Sequence, residues 1–138
     1  MVHTRQTSLR YYRTIRGSDD AFWAIEVEEI PRTWVHIGNI GVTVDSKNGT
    51  GDLAILIGEK RFWGQGLGAR AWSEALHRCF DTLSLRLVTA GTMEINKPMV
   101  RLFEVSGMQQ RGRVPGRFLW HGKPVDLVLV SKFAAADR

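Results

Sequence analysis

The sequence is poor in the features that disulfide frameworks, metal sites and membrane spans require. Cys79 is the only cysteine, which excludes an internal disulfide and any metal site built from several thiolates. The four histidines are scattered without metal-ligand spacing. The longest apolar runs, such as Val125 to Val130, are far below the roughly 20 residues of a membrane-spanning helix. The first residues also lack the apolar stretch of a secretory signal, so we expect a cytoplasmic protein without a metal.

The chain also lacks the length for two domains and any run of like charges. Its 138 residues suit one hydrophobic core. With 43% hydrophobic and 24% charged residues, it is neither a disordered nor a fibrous chain. A net charge of +5 favours an anionic partner such as coenzyme A, a nucleotide-linked sugar or nucleic acid. Because the basic residues are dispersed, nucleic acid is the less favoured of these.

Hydrophobic periodicity predicts strands and helices in a mixed order. A short helix over Arg5 to Arg16 opens the chain, and Leu67 to Phe80 repeats apolar residues at four-residue spacing, as one face of a helix does. Asn48-Gly49 indicates a hairpin, because both residues tolerate a positive φ. The predicted strands cover residues 21–29, 34–45, 52–58, 84–90, 114–120 and 125–133.

The second half of the chain carries the boundary signals of another helix. Asn96 can cap it, Pro98 suits its first turn, and Gly107 fits its C-terminal end. A strand, helix and strand in succession imply a parallel strand pair with a crossover helix. The sequence therefore predicts an α/β (α+β) domain over residues 1–138, with a mixed, mostly antiparallel sheet, a central parallel pair and flanking helices.

A glycine-rich loop joins an apolar strand to the first amphipathic helix. It reads Gly64-Gln65-Gly66-Leu67-Gly68-Ala69. Glycines at such a junction let backbone N–H groups point outward at a helix N-terminus, where they can hold a phosphate. A phosphate-loop hydrolase is excluded, since the chain has no Gly-x4-Gly-Lys-Ser/Thr string. A dinucleotide fold is disfavoured, because no acidic residue ends the next predicted strand.

Three segments together resemble the GNAT superfamily of acetyltransferases, in particular its ribosomal-protein N-acetyltransferase-like (RimJ/RimL-like) branch. Residues 57–71 look like the coenzyme A loop of that branch, with Trp63 ahead of the glycines. Residues 96–108 are similar to its fourth helix and residues 122–126 to its last hairpin. The order and spacing agree over roughly 22–133, which is more specific than the glycines alone.

The resemblance implies that acetyl-CoA is the cosubstrate. Backbone amides of the glycine loop would hold its pyrophosphate, and the edge of the strand before the loop would pair with its pantetheine arm, which Asn96 would contact from the other side. The residues implied in cofactor binding are Ile55, Leu56, Ile57, Trp63, Gly64, Gln65, Gly66, Leu67, Gly68, Ala69, Asn96 and Phe103.

The implied reaction is transfer of the acetyl group to a primary amine by direct attack, through a tetrahedral intermediate. The amine must lose a proton, for which Asp52 is our first candidate as base and Glu94 the second. Phe103 stands where many relatives have the tyrosine that protonates the departing thiolate, so Ser106 is a candidate substitute through water. A backbone N–H near Ile57 would stabilise the oxyanion. A coenzyme A-binding module without catalysis stays open as the alternative.

The N-terminal part departs from the resemblance. The family normally has a strand and a helix before the strand that begins here at Ala21, and the predicted short helix of residues 1–20 leaves no first strand. An uncovered sheet edge invites pairing, so we expect a homodimer. The core would then be residues 21–133 and the tail 134–138. The acceptor stays open between a protein N-terminus, a small amine and an amino sugar.

Overall fold

The structure, a computed structural model of the chain, describes residues 7–14, 19–58 and 66–135. Trp63, Gly64 and Gln65 of the predicted coenzyme loop lie outside these residues. The elements are β1 Thr7–Thr14, β2 Ala21–Ile30, β3 Thr33–Asp45, β4 Thr50–Ile57, α1 Leu67–Asp81, β5 Leu87–Met93, α2 Lys97–Val105, β6 Gln109–Trp120 and β7 Lys123–Phe133.

The described strands form one sheet in the order β1-β2-β3-β4-β5-β7-β6. All neighbours are antiparallel except β4 and β5, which are parallel and are connected through α1. The predicted fold class, including the central parallel pair, is therefore confirmed. The predicted hairpin between β3 and β4 is also present, and Gly49 adopts a φ of 70° in its turn.

The predicted helix over Arg5 to Arg16 is wrong, and so is the missing first strand. Residues Thr7–Thr14 form β1, which pairs antiparallel with β2 from Thr7 opposite Val27 to Thr14 opposite Ala21. The free edge of β2 supplies hydrogen-bond partners that outweigh a weak local preference for helix. Because β1 covers this edge, the reason given for a homodimer does not hold, and the dimer stays a prediction.

The strand predicted at 84–90 lies three residues later. Ser84 adopts a φ of 55° in the connection after α1, and the Leu85 N–H donates to the Cys79 carbonyl at 3.0 Å. The chain is therefore still turning where the apolar pattern already suggests a strand. The caps of α2 are as predicted: Asn96 Oδ1 accepts from the Met99 N–H at 3.3 Å, and Gly107 follows the helix with a φ of 81°.

Both helices pack on one face of the sheet. The Trp72 ring of α1 lies 5.6 Å from the Phe103 ring of α2, and both side chains are fully buried. Alternate residues of β4 point to opposite faces: Leu53 is buried in the core, whereas Asp52 and Leu56 are exposed. We call the second face the open face. No helix in the described ranges is long and apolar enough to cross a membrane.

Candidate active site

The parallel strands β4 and β5 separate partway along their length. They pair from Thr50 opposite Leu87 to Asp52 opposite Thr89, and within the described residues no further pairs follow. β4 nevertheless continues to Ile57 along β3, and β5 continues to Met93 along β7. The strands therefore enclose a cleft, which we define as the gap between residues 53–57 and residues 90–93. Its apex is the Asp52–Thr89 pair.

The cleft presents two strand edges to anything that enters it. An extended ligand with amide groups can pair with such edges as an added strand does. The outer side of β4 is fixed by a close approach to β3, since a Cβ added at Gly38 would lie 2.1 Å from the Leu56 carbonyl oxygen. Only glycine lets the two backbones come this close. Gly38 therefore holds the predicted binding strand Ile55 to Ile57 in place.

The open end of the cleft lies beside the N-terminus of α1. Gly66 precedes the helix with a φ of 75° and, as a glycine, has no side chain with which to cap it. The first intrahelical bond recorded there runs from the Arg70 N–H to the Gly66 carbonyl at 3.2 Å. The earlier N–H groups of a helix have no acceptor within it and favour an anion. A Cβ on Gly68 would lie 3.4 Å from Ile57 Cδ1, so this helix N-terminus adjoins the end of β4.

Asp52 stands at the apex of the cleft on the open face. Its Oδ1 accepts a hydrogen bond of 2.7 Å from the Thr89 hydroxyl of β5. Its side chain is exposed, so an amine can reach it from the face that the helices leave free. Asp52 is thus a carboxylate held in position by a neighbour and open to solvent.

Glu94 lies at the other end of the cleft. It follows Thr89 by five residues of strand, about 17 Å, and the Arg113 guanidinium donates to its Oε2 at 2.7 Å. The same nitrogen of Arg113 donates to Asp126 Oδ2 at 2.9 Å. Asp126 and Glu94 raise the pKa of Arg113. Glu94 is therefore committed to an ion-pair network, which makes it a weaker candidate for the base than Asp52.

Phe103 lies in α2, and Ser106 directly follows the helix. The Ser106 hydroxyl donates to the Phe103 carbonyl at 3.1 Å, and its own carbonyl accepts from Lys132 Nζ at 2.9 Å. Ser106 borders a groove of about 630 Å³ on the outside of the helix pair, together with Arg70 and His77. The Phe103 ring is only 1% exposed and belongs to the core. Their roles in the reaction stay predictions.

Three further residues, Thr89, Arg113 and Trp72, were not singled out by the sequence analysis. Thr89 meets Asp52 through the parallel register, and Arg113 meets Glu94 and Asp126 through the pairing of β6 with β7. Trp72 was taken only as part of an apolar helix face. Its indole N–H is buried and, among the described residues, has no hydrogen-bond partner. A tryptophan normally finds a hydrogen-bond partner for its N–H when it is buried. A tryptophan on an apolar helix face was therefore the one sign in the sequence that this position is unusual.

Cys79 lies where the apolar pattern of α1 predicted it. The thiol is fully buried, and burial raises its pKa to about 12. A thiol in such surroundings does not ionise near neutral pH and is unsuited to nucleophilic chemistry. Cys79 is therefore a core residue of α1.

The chain is similar to acetyltransferases in both sequence profile and fold. The family profile of the acetyltransferase (GNAT) domain matches residues 2–109. No curated protein sequence matches the chain significantly. Among solved structures, mutant forms of the spermidine/spermine N-acetyltransferase SpeG from Vibrio cholerae superpose with a TM-score of 0.74 at 18% identity, covering 86% of this chain and 69% of that one.

Two more solved structures are similar in fold. A dodecameric spermidine N-acetyltransferase from Vibrio cholerae has a TM-score of 0.75 at 18% identity, with 85% of this chain and 66% of that one covered. A protein described as a probable acetyltransferase has a TM-score of 0.71 at 20% identity, with 83% and 62% covered. At identities this low, the TM-scores establish a shared fold and nothing more. The separation of β4 from β5 is an observation on this chain's own strands.

Proposed function

The chain belongs to the GNAT family of acetyltransferases, and from that premise we propose that it moves the acetyl group of acetyl-CoA to a primary amine, with Asp52 accepting the proton of the amine. The observation that carries the proposal is the cleft between β4 and β5, with an anion site at its open end and an accessible carboxylate at its apex. These three features lie in the order that an anionic, extended cosubstrate and an incoming amine would need.

The residues of the cleft fit acetyl-CoA. Its phosphates suit the N-terminus of α1. The amide groups of its arm suit the edges of β4 and β5, which no longer pair with each other beyond Asp52. Acetyl-CoA supplies an acetyl group activated as a thioester. An arm that starts at Gly66 and follows β4 backwards runs toward the apex. This direction supports a reaction centre near Asp52.

Asp52 would act on the amine from the open face. An alkyl ammonium has a pKa near about 10 and must lose a proton before its nitrogen can attack. As the bond from nitrogen to the acetyl carbon forms, the bond from that carbon to sulfur breaks, and the thiolate leaves. The hydrogen bond from Thr89 keeps one oxygen of Asp52 in place, and the other oxygen is left to accept a proton directly or through water.

The acceptor that we propose is a primary amine, and the structures to which the chain is similar suggest which amines to test first. The printed names of the solved structures concern spermidine and spermine, so polyamines are the first acceptors to test. Protein N-termini and amino sugars come next, as does RimJ/RimL-like specificity. The open face that leads to Asp52 is the route that we propose for all of them.

The test is a thiol-release assay over an amine panel with Asp52→Asn beside the wild type. We expect a decrease in kcat of about 10² to 10⁴ with an unchanged Kd for acetyl-CoA, since general-base catalysis contributes that much. Glu94→Gln is the matched control and should retain most activity, because Glu94 is paired with Arg113. Full activity of Asp52→Asn on an amine that the wild type acetylates would remove Asp52 from the mechanism.

A further inference from the structure

The open face near Asp52 carries a phenylalanine ring that the proposed function does not use. Phe22 of β2 pairs with Gly41 of β3, and Gly41 pairs in turn with Ala54 of β4. A Cβ added at Gly41 would lie 2.8 Å from both Cδ1 and Cε1 of Phe22. The ring therefore lies directly over the backbone of Gly41, in space that a side chain at this position would occupy. We call the Phe22 ring in this position the aromatic lip.

Strand register relates the aromatic lip to the proposed base. Thr43 pairs with Asp52, and Gly41 precedes Thr43 by two residues on β3, so Gly41 and Asp52 share the open face. Residues in this diagonal relation are about 7–8 Å apart, which is within reach of an aromatic side chain. The side chain of Phe22 is exposed, at 37% of its surface. An amine that reaches Asp52 over the open face can therefore contact the ring.

A second group of apolar side chains lies on the other side of the cleft. On β5, Gly91 follows Thr89, the hydrogen-bond partner of Asp52, by two residues and pairs with Leu129 of β7. A Cβ added at Gly91 would lie 3.0 Å from Leu127 Cδ1 and 3.4 Å from Leu129 Cδ2. These two leucine side chains therefore lie over Gly91 on the open face, and Leu129 is 39% exposed. We call them the aliphatic lip.

The two lips border the place where β4 and β5 separate. Each lies two residues along its strand from the apex of the cleft, and the residues between them are Gly41, Ala54 and Gly91, which carry no polar side-chain atom. A carbon chain placed here gains from leaving water. A hydroxyl group placed here would give up its water without gaining a partner from these side chains. The surroundings of the proposed base therefore suit an alkyl chain better than a sugar.

We propose that Phe22 and Leu129 contact the carbon chain that carries the reacting nitrogen, and that they select amines on unbranched alkyl chains over amino sugars. The inference rests on the proposed function and assigns an acceptor class to it. An amino sugar carries its nitrogen on a ring carbon between hydroxyl-bearing neighbours, whereas an alkyl amine presents only methylene groups to the lips. The face of the Phe22 ring also attracts the ammonium before Asp52 takes its proton.

The experiment measures kcat/KM by thiol release, at saturating acetyl-CoA, for methylamine, ethylamine, propylamine, butylamine and glucosamine. The four alkyl amines are nearly equally basic, so differences between them report contacts of the chain. A fully buried methylene group contributes about fourfold in rate. Because the lips cover the chain only in part, we expect kcat/KM of the wild type to rise about twofold for each methylene. The wild type should also prefer butylamine to glucosamine.

Phe22→Ala should weaken the dependence on chain length, with a loss of about five- to tenfold for butylamine and less than about twofold for methylamine and glucosamine. Leu129→Ala should show the same pattern, and it decides the matter should Phe22→Ala not fold. Trp34→Ala is the matched control. Trp34 is an equally exposed aromatic residue, 39%, but it lies opposite Glu28 at the other end of β3 from Thr43. Its removal should leave kcat/KM unchanged for every amine.

Several results would overturn the inference and leave the proposed function in place. They are an unchanged dependence on chain length in either lip variant, an equal loss for methylamine and butylamine, and the same loss in Trp34→Ala. A wild type that acetylates glucosamine or a peptide N-terminus in preference to butylamine would also overturn it. If the wild type releases no thiol with any amine of either panel, the proposed function fails, and the inference fails with it.

Discussion

Removing the hydroxyl of Thr89 tests how the apex of the cleft positions Asp52. Thr89→Val keeps the shape and branching of the side chain and deletes the donor that lies 2.7 Å from Asp52 Oδ1. Hydrogen bonds to charged groups contribute about 1.5–3 kcal/mol when buried. Asp52 is exposed, so water compensates in part, and we expect a loss of about 1 kcal/mol in transition-state stabilisation.

That loss corresponds to a decrease in kcat of about fivefold, since 1.36 kcal/mol is tenfold in rate. The assay is thiol release at saturating acetyl-CoA, with the Kd for acetyl-CoA measured beside it. The Kd should stay unchanged, because Thr89 orients the base and does not touch the arm. Thr89→Ser restores the hydroxyl and should recover wild-type kcat.

Two outcomes would refute this reasoning. If Thr89→Val turns over as fast as the wild type, the hydrogen bond does not position the base. If Thr89→Ser is as slow as Thr89→Val, restoring the hydroxyl does not restore the rate, and the loss in Thr89→Val does not come from the missing hydrogen bond. A parallel loss of acetyl-CoA affinity would show instead that Thr89 shapes the cleft.

Two further predictions concern stability. In Gly38→Ala the new methyl would lie 2.1 Å from the Leu56 carbonyl oxygen, and urea denaturation should show a loss of at least about 1–3 kcal/mol in the free energy of unfolding. In Gly58→Ala the new methyl would meet no atom of the described residues within 4 Å, so the free energy of unfolding should change little. The Gly116 N–H and then the paired guanidinium lower the pKa of Asp126, so its stabilisation is complete above the unfolded value near about 3.9 and is lost as pH falls through the lower folded pKa. Asp126→Asn should therefore lower Tm at pH 7, and its Tm should fall less than that of the wild type between pH 5 and 3; parallel pH profiles would contradict the assignment.

Local patterns were enough to predict most of the fold. The four-residue repeat of α1, the Asn96 cap and the hairpin at Gly49 each reside in a few neighbouring residues, and all three were found in place. β1 was different, because its state depends on pairing with β2, whose partner residues lie between 7 positions (Thr14 with Ala21) and 20 positions (Thr7 with Val27) away. The spacing of Leu9 and Tyr12 fits one helix turn, and the local sequence gives no sign that a strand edge is free nearby.

The candidate site could be predicted only in part, for a similar reason. Asp52 and Asn96 could be chosen because they match positions of the family that the sequence resembles. The hydrogen-bond partner of Asp52, Thr89, is 37 residues away, and only the parallel register of β4 and β5 brings the two together. The ion pair of Glu94 depends on how β6 and β7 align. Such contacts follow from strand register, which periodicity does not determine.

The short join between β4 and β5 also divides the chain into two blocks. β1 to β4 form one continuous antiparallel unit, and β5, β7 and β6 form another, with three residue pairs between them. The division coincides with a single crossing in sequence, since only α1 and its flanking connections lie between the blocks. Recombination between relatives within residues 58–86 would exchange whole blocks and leave every antiparallel ladder intact. The seam is thus a natural crossover point at which chimaeras could combine the strands on one side of the cleft with those on the other.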